Sequence, residues 1–204
     1  MQSKNARLGL IVLSIAAAVA VSGITLVDHA QGVDIPNDAT FMTGHVEVLV
    51  TDGEGNIKAY RQGDNSIVNN GMNTMAVQTF SGITGTTSTG PVTHMQIGTS
   101  AVTPTGADTS ITVIATCNRD TAAFSTAGAS DSGGPPTVSA ITITATATFS
   151  SADGAGCETT GIVEAGLFNS LTVGELFARN TFATVTLGAG DSLAITWTLT
   201  FTDT

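Results

Sequence analysis

Residues 192–202 read SLAITWTLTFT, and every second residue of this stretch is large and apolar. In an extended chain this alternation places one set of side chains on a dry face and a threonine-rich set on the opposite face. The same pattern occurs in SAITITATATF at 139–149. Alternation of this length is typical of antiparallel strands that bury one face. The expected core-facing residues of the last strand are Leu193, Ile195, Trp197, Leu199 and Phe201.

Further alternating segments are separated by short turns rich in glycine, asparagine and aspartate. One segment differs, because Met72, Met75, Ala76 and Phe80 recur at helical spacing, and we expect a helix over 70–80 that packs on the core. The pattern predicts a mainly β fold, an antiparallel β-sandwich of Ig-like or jelly-roll-like type with one short helix. The other predicted strands are 45–50 and 57–61 (a hairpin), 94–98, 111–116, 138–149, 161–169 and 175–185.

The N-terminus has the features of an export leader. Lys4 and Arg7 precede an uncharged apolar run at 8–27, and Ala18-Val19-Ala20 offers a small-residue cleavage site. An uncleaved membrane anchor is the alternative, because the run is long enough to cross a bilayer. Basic residues before an apolar helix also resemble the leader of type IV pilins, which is cut ahead of the helix. The predicted division of the chain is 1–20 as export signal or uncleaved helix, 21–44 as N-terminal arm, and 45–204 as β-sandwich.

Composition limits the possible partners. The formal net charge is −10, with 16 acidic against 6 basic residues, and charged residues make up only 11% of the chain. Nucleic acids and anionic membrane surfaces are bound by clustered Lys and Arg, so we expect neither as a partner. Membrane contact is expected only through the leader before processing, and the expected location is extracellular or at the cell surface.

Cys117 and Cys157 fit an exported chain, because an oxidising compartment allows them to form one disulfide. Two buried thiols are the alternative reading. A metal site is much less expected here, since neither cysteine has a second Cys or a His at ligand spacing.

No arrangement of residues predicts catalysis, and we expect neither an enzyme nor a cofactor. His29, His45 and His94 are the only histidines, and none has a second metal ligand close by in the sequence. Glu164 is flanked by apolar residues, and Arg179 is its expected buried salt partner. Glu158 and Glu175 are the other acids considered for a carboxylate pair, but nothing in the predicted strands brings them together. Sugar binding is a weak alternative, because aromatic residues make up only 5% of the chain.

The order of four segments resembles a β-rich domain of phage tail and fibre-associated proteins and of some archaeal surface proteins. The segments are VEVLVTDGEGNIKAYRQGDNSIVNNGMNTMA (46–76), HMQIGTSAVTPTGADT (94–109), GIVEAGLFN (161–169) and ELFARNTFATVTLGAGDSLAITWTLTF (175–201). The resemblance covers nearly all of the chain after residue 44. It implies a structural role, and together with the leader it favours the secreted β-sandwich subunits of archaeal threads and bacterial fibres, which join by donating a strand.

Strand donation also has a physical basis in the sequence. No charged residue occurs between Val138 and Ser151 or between Ser192 and Thr202, so these strands lack the usual protection against edge pairing. Either the subunit covers them itself or a neighbour adds a strand. The candidate donor strand contains Ile24, Leu26 and Val27, whose burial would contribute about 5 to 10 kcal/mol before ordering costs. The sequence therefore favours a self-assembling filament subunit. A virion or tail-type appendage and a monomeric anchored surface domain remain as alternatives.

Overall fold

The computed structural model describes residues 41–80, 90–128, 140–158 and 161–202. The described chain forms ten strands, one α-helix and two short 3-10 helices. The strands and the α-helix are β1 Phe41–Thr51, β2 Ile57–Asp64, β3 Ser66–Ile67, α1 Asn69–Thr79, β4 His94–Gly98, β5 Asp120–Thr121, β6 Ala123–Ala127, β7 Ala140–Phe149, β8 Ile162–Phe168, β9 Leu176–Val185 and β10 Ser192–Thr202. The 3-10 helices are Ser151–Asp153 and Ala155–Glu158.

The strands form two five-stranded sheets. The first sheet has the order β2-β1-β10-β7-β6, and the second has the order β3-β9-β8-β4-β5. Every pairing between neighbouring strands is antiparallel. This architecture confirms the predicted mainly β fold with two antiparallel sheets and one short helix.

Two chain segments pass from one sheet to the other at the sides of the sandwich. On one side, β2 in the first sheet is followed after Asn65 by β3 in the second sheet. On the other side, β5 in the second sheet is followed after Ala122 by β6 in the first sheet. Strands that change sheets in this way form the corners of a sandwich. The backbone N–H of Ala122 donates to the carbonyl of Thr93, 2.9 Å away, and fixes the second corner.

The core lies between the two sheets, and β10 contributes its centre. Leu193, Ile195 and Trp197 are completely buried, Leu199 is 6% exposed, and Phe201 is half-buried. The cross-strand neighbours of Leu193, Ile195 and Trp197 on β1 and β7 are buried as well, in the register that the alternation requires. Burial of these apolar side chains provides most of the favourable free energy of folding.

Both long uncharged strands lie inside the first sheet. β10 pairs with β1 on one side and with β7 on the other, and β7 lies between β10 and β6. Their cover is therefore internal to the subunit. An open edge along residues 192–202, one of the two possibilities in the sequence, is excluded, so these strands need no neighbouring chain.

The predicted strand at 111–116 is wrong. Only Val113 makes a bridge, to Gly98, and the buried residues of this segment are spaced by three rather than two. They are Ile111, Ile114 and Cys117. Residues 99–117, the outer-face segment, instead run over the outer face of the second sheet. There the side chain of Glu164 accepts the backbone N–H groups of Ser100 and Thr112, which a strand would pair with a neighbour.

The helix lies where it was predicted, but it packs through a different face. Gly71 and Thr74 are its buried residues, whereas Met72 is 55% and Phe80 is 64% exposed. A Cβ atom at Gly71 would lie 2.1 Å from the carbonyl oxygen of Phe177 on β9. The helix therefore approaches the second sheet through its glycine. Of the expected apolar residues, Met75 is half-buried and packs against the core, whereas Met72 and Phe80 are exposed.

The sandwich starts ahead of the predicted boundary at residue 45, because β1 begins at Phe41 and pairs with β10 from its first residue. Within the described ranges, no helix combines the length and apolar character needed to cross a bilayer.

Candidate functional site

The predicted donor residues Ile24, Leu26 and Val27 lie outside the described residues, as do the leader and His29. The sandwich itself offers polar clusters, a pocket and the free edges of its sheets.

Cys117 and Cys157 are joined in a disulfide with Cα atoms 4.9 Å apart. The bond connects the end of the outer-face segment to the second 3-10 helix, and both cysteines are buried. The backbone N–H of Asn118 donates to the carbonyl of Asp153, 2.9 Å away, beside the bond. The disulfide thus anchors the segment between β4 and β5 to the chain that follows β7.

Removing this disulfide with Cys117→Ser and Cys157→Ser is expected to lower the free energy of unfolding by about 4 kcal/mol. The bond closes a loop with a sequence separation of 40, which restricts the unfolded chain. Differential scanning calorimetry should give a Tm lower by about 10 °C, and dithiothreitol should no longer change it. An unchanged Tm in the double variant would show that the bond does not stabilise the fold.

Glu164 on β8 lies in a buried polar cluster beneath the outer-face segment. It is completely buried, and its Oε1 accepts the backbone N–H groups of Ser100 and Thr112, each at 2.8 Å. Its Oε2 accepts the guanidinium of Arg179 on β9, with Nε and Nη2 both at 2.8 Å. The expected Glu164–Arg179 pair is confirmed. Gly98 borders the cluster, and a Cβ there would lie 2.6 Å from Oε1 of Glu164.

Asp108 completes this cluster from the outer-face segment, with its Oδ2 2.7 Å from Nη1 of Arg179. The sequence did not identify Asp108, because nothing in a loop of this kind indicates its partner. Although burial works in the opposite direction, the bonds from Arg179 and from the N–H and hydroxyl of Thr105 lower the pKa of Asp108. The pKa of Arg179 is raised, because the two carboxylates outweigh the effect of burial. One arginine thus bridges two carboxylates and connects the outer-face segment to β8 and β9.

Acid is expected to weaken the fold through Asp108. Since the folded-state pKa of Asp108 lies below its ordinary value of 3.8, its stabilisation is complete above that value and is lost as the pH falls through the folded-state pKa. Urea unfolding should show a falling midpoint below about pH 4, with a shallower fall for Asp108→Asn. An equal fall in both proteins would assign acid sensitivity to other groups.

A second ion pair joins Lys58 on β2 to Asp191 in the turn before β10. The hydrogen bonds from Lys58 and from the backbone N–H of Gly188 lower the pKa of Asp191. The neighbouring Asp52 accepts hydrogen bonds from the N–H groups of Glu54 and Asn56 in the turn of the first hairpin. Both carboxylates therefore order turns at the end of the sandwich opposite to the start of β1.

The two histidines of the sandwich lie apart. Nδ1 of His45 lies 3.4 Å from Asp64, and Nδ1 of His94 lies 2.8 Å from the hydroxyl of Thr93. In the part of the chain that the structure describes, no three His, Cys, Asp or Glu side chains come together as a potential metal site. Of the glutamates considered for a carboxylate pair, Glu164 is bound to Arg179. The backbone N–H of Glu175 donates to Oδ1 of Asn169.

A pocket of about 490 Å³ lies beside the disulfide. The guanidinium of Arg119 stacks 3.6 Å from the ring centroid of Phe168 and donates to the carbonyl of Ser170 at 2.6 Å. Burial lowers the pKa of Arg119. The pocket offers hydrogen-bonding groups but no nucleophile next to a base. Its lining residues are Asn118, Arg119, Ala152, Asp153, Leu171 and Thr172.

The free edges of the sheets differ in their protection. β3 and β5, at the edges of the second sheet, are only two residues long. β2, at one edge of the first sheet, carries Lys58, Arg61 and Asp64. β6, at the other edge, reads AFSTA, has no charged residue or proline, and is exposed along its whole length. Charged residues, proline and very short strands are the usual means by which proteins protect an edge. β6 has neither charged residues nor proline, and its only protection is a length of five residues.

The inner face of the first sheet is less well covered towards the start of β1. The cross-strand row Val50, Leu193 and Phe149 is at most 1% exposed. At the other end of the same face, all three members of the last row are half-buried, and on β6 the inward-facing Phe124 is 44% exposed. That last row consists of Met42, Phe201 and Ile141.

The sheet edges are the candidate functional site, because β6 and the open end of the inner face lie together at the end where the chain enters the sandwich. The sequence pattern did not predict β6, since a five-residue stretch that begins and ends with alanine gives no strong strand signal. The chain matches no protein-family model, no curated protein and no solved structure.

Proposed function

We propose that this protein is a structural subunit of an extracellular filament or surface assembly. It polymerises by donating an N-terminal strand to the sheet of a neighbour, and adhesion or biofilm cohesion is the outcome. The partner is a second copy of the chain.

The leader and the disulfide support export. The basic residues before an apolar run are typical of exported chains, and a disulfide persists in oxidising compartments. A sandwich held by a disulfide and by the Glu164–Arg179–Asp108 cluster also suits a load-bearing role, since the cluster connects the outer-face segment to the second sheet and the disulfide connects that segment to the chain that follows β7.

One observation carries the proposal. The subunit covers its long uncharged strands itself but leaves β6 as an exposed and uncharged edge, and a chain with an apolar segment leads into the same end of the sandwich. An unprotected edge is a template for pairing with another strand, so it is either a liability or a binding surface. In a secreted subunit that polymerises, this edge is a binding surface for a strand of a neighbouring subunit.

Sedimentation velocity of the processed native protein tests the proposal. We expect species that grow in mass with protein concentration and that survive moderate salt, because strand addition depends on backbone hydrogen bonds and apolar burial. A single species with the mass of one subunit at the highest concentration would contradict it. Recovery of the protein in virus particles would favour the appendage, and a retained leader would favour the anchored domain.

A further inference from the structure

The edge that accepts a donated strand can be selected by comparing the four described edges. β3 and β5 offer two residues each, and on β2 an incoming strand would lie beside the exposed charges of Lys58 and Asp64. β6 offers five uncharged residues, and among the described residues it pairs only with β7. β6 is therefore the edge on which a further strand meets the least opposition.

A strand on β6 would also cover apolar surface. Phe124 and Thr126 lie opposite Ala145 and Ile143, which places them on the core side of the sheet, yet both are exposed. Next to them is the half-buried end of the inner face, where Ile141 pairs with Phe201. Apolar side chains from a strand added to β6 would extend this face by one row of contacts.

The segment at 22–27 has the required chemistry. It reads SGITLV, carries no charge, and alternates partly, with Ile24 and Leu26 on one side. Residues 28–40 connect it to β1, and a fully extended chain of that length spans roughly 45 Å. This is close to the roughly 40 Å diameter expected for a domain of this size. The path from β1 across β10 and β7 to the subunit's own β6 is three strand spacings, only about 14 Å. The connection is therefore much longer than its own subunit requires, and it is long enough to reach a neighbouring subunit.

We infer that β6 is the acceptor edge and that residues 22–27 of a second copy pair with it, with Ile24 and Leu26 directed towards Phe124 and Thr126. This inference rests on the proposed function, because it specifies where the donated strand binds.

Thiol cross-linking between two variants tests the inference. Leu26→Cys is made in one preparation of the full chain and Thr126→Cys in another, and filaments assembled from an equal mixture are treated with a short bis-maleimide. The native cysteines do not compete, because they are joined in a disulfide. Thr126 is exposed, so its replacement should leave the thermal unfolding of the subunit unchanged. The matched control replaces Thr126→Cys with Gln62→Cys, an exposed position on the other edge strand β2.

We expect a cross-linked dimer from the Leu26 and Thr126 variants and its loss in the control. Filaments that give no dimer, or that give it with Gln62→Cys, would overturn the acceptor edge while leaving the proposed function standing. A chain that carries both Leu26→Cys and Thr126→Cys distinguishes the two arrangements. If only this chain is cross-linked, and as a monomer, then the arm covers its own edge and the inference is overturned. Absence of any assembly from the unmodified protein would instead contradict the proposed function.

Discussion

Glu164→Gln is expected to lower the free energy of unfolding by about 3 to 5 kcal/mol, a large fraction of the stability of an ordinary domain. The carboxylate is completely buried and accepts three hydrogen bonds, two from backbone N–H groups and one from Nε of Arg179, whose Nη2 also lies 2.8 Å from Oε2. An amide of the same size has only one acceptor oxygen, so its NH2 group must face donors. Arg179 then remains buried with Asp108 as its remaining carboxylate partner.

The measurement is urea unfolding followed by tryptophan fluorescence, with Glu54→Gln as the matched control. Glu54 is exposed in the turn of the first hairpin, so its replacement should change the midpoint by little. Equal midpoints for both variants would mean that the buried cluster does not hold the outer-face segment on the second sheet.

Trp197→Ala is the second substitution with a large expected effect, a loss of about 3 to 5 kcal/mol. Trp197 is completely buried at the middle of β10, between Val46 on β1 and Ala145 on β7. Truncation to alanine leaves a cavity that a rigid sheet cannot close.

Trp197→Phe is the informative comparison. The indole N–H of Trp197 is buried and has no hydrogen-bond acceptor among the described residues. Phenylalanine fills much of the same volume and removes this unsatisfied donor, so we expect a cost below about 1.5 kcal/mol. Thermal or urea unfolding monitored by circular dichroism gives both values. Similar losses for the two variants would show that the indole N–H has a partner in solution.

The sequence predicted the long strands well because their burial follows a strict period of two. The bounds of β10 agree with the prediction, and its alternating residues point into the core. Residues 111–116 have a strand-like pattern but do not form a strand. A side chain replaces strand pairing there, because the backbone N–H of Thr112 donates to Glu164. The sequence pattern also fails to select the packing face of α1, since contact there depends on the absence of a side chain at Gly71.

The candidate site was harder to predict than the fold. Lack of charge on the long strands indicated that their edges are covered, either by the subunit or by a neighbour. In the structure the subunit covers them, because β10 lies between β1 and β7, and β7 lies between β10 and β6. The open edge is β6, whose sequence is short and weakly patterned. Which strand lies at an edge depends on pairing between distant parts of the chain, and local composition does not contain that information.

Electron microscopy of the native material, combined with N-terminal sequencing of its subunit, tests strand-donated assembly most directly. The account predicts filaments whose subunits begin near Val21, so that residues 22–27 remain available to a neighbour. Filaments that begin near Leu8 would indicate a helical pilin core instead. Discrete monomers that retain Lys4 and Arg7 would contradict assembly altogether and identify an anchored surface domain.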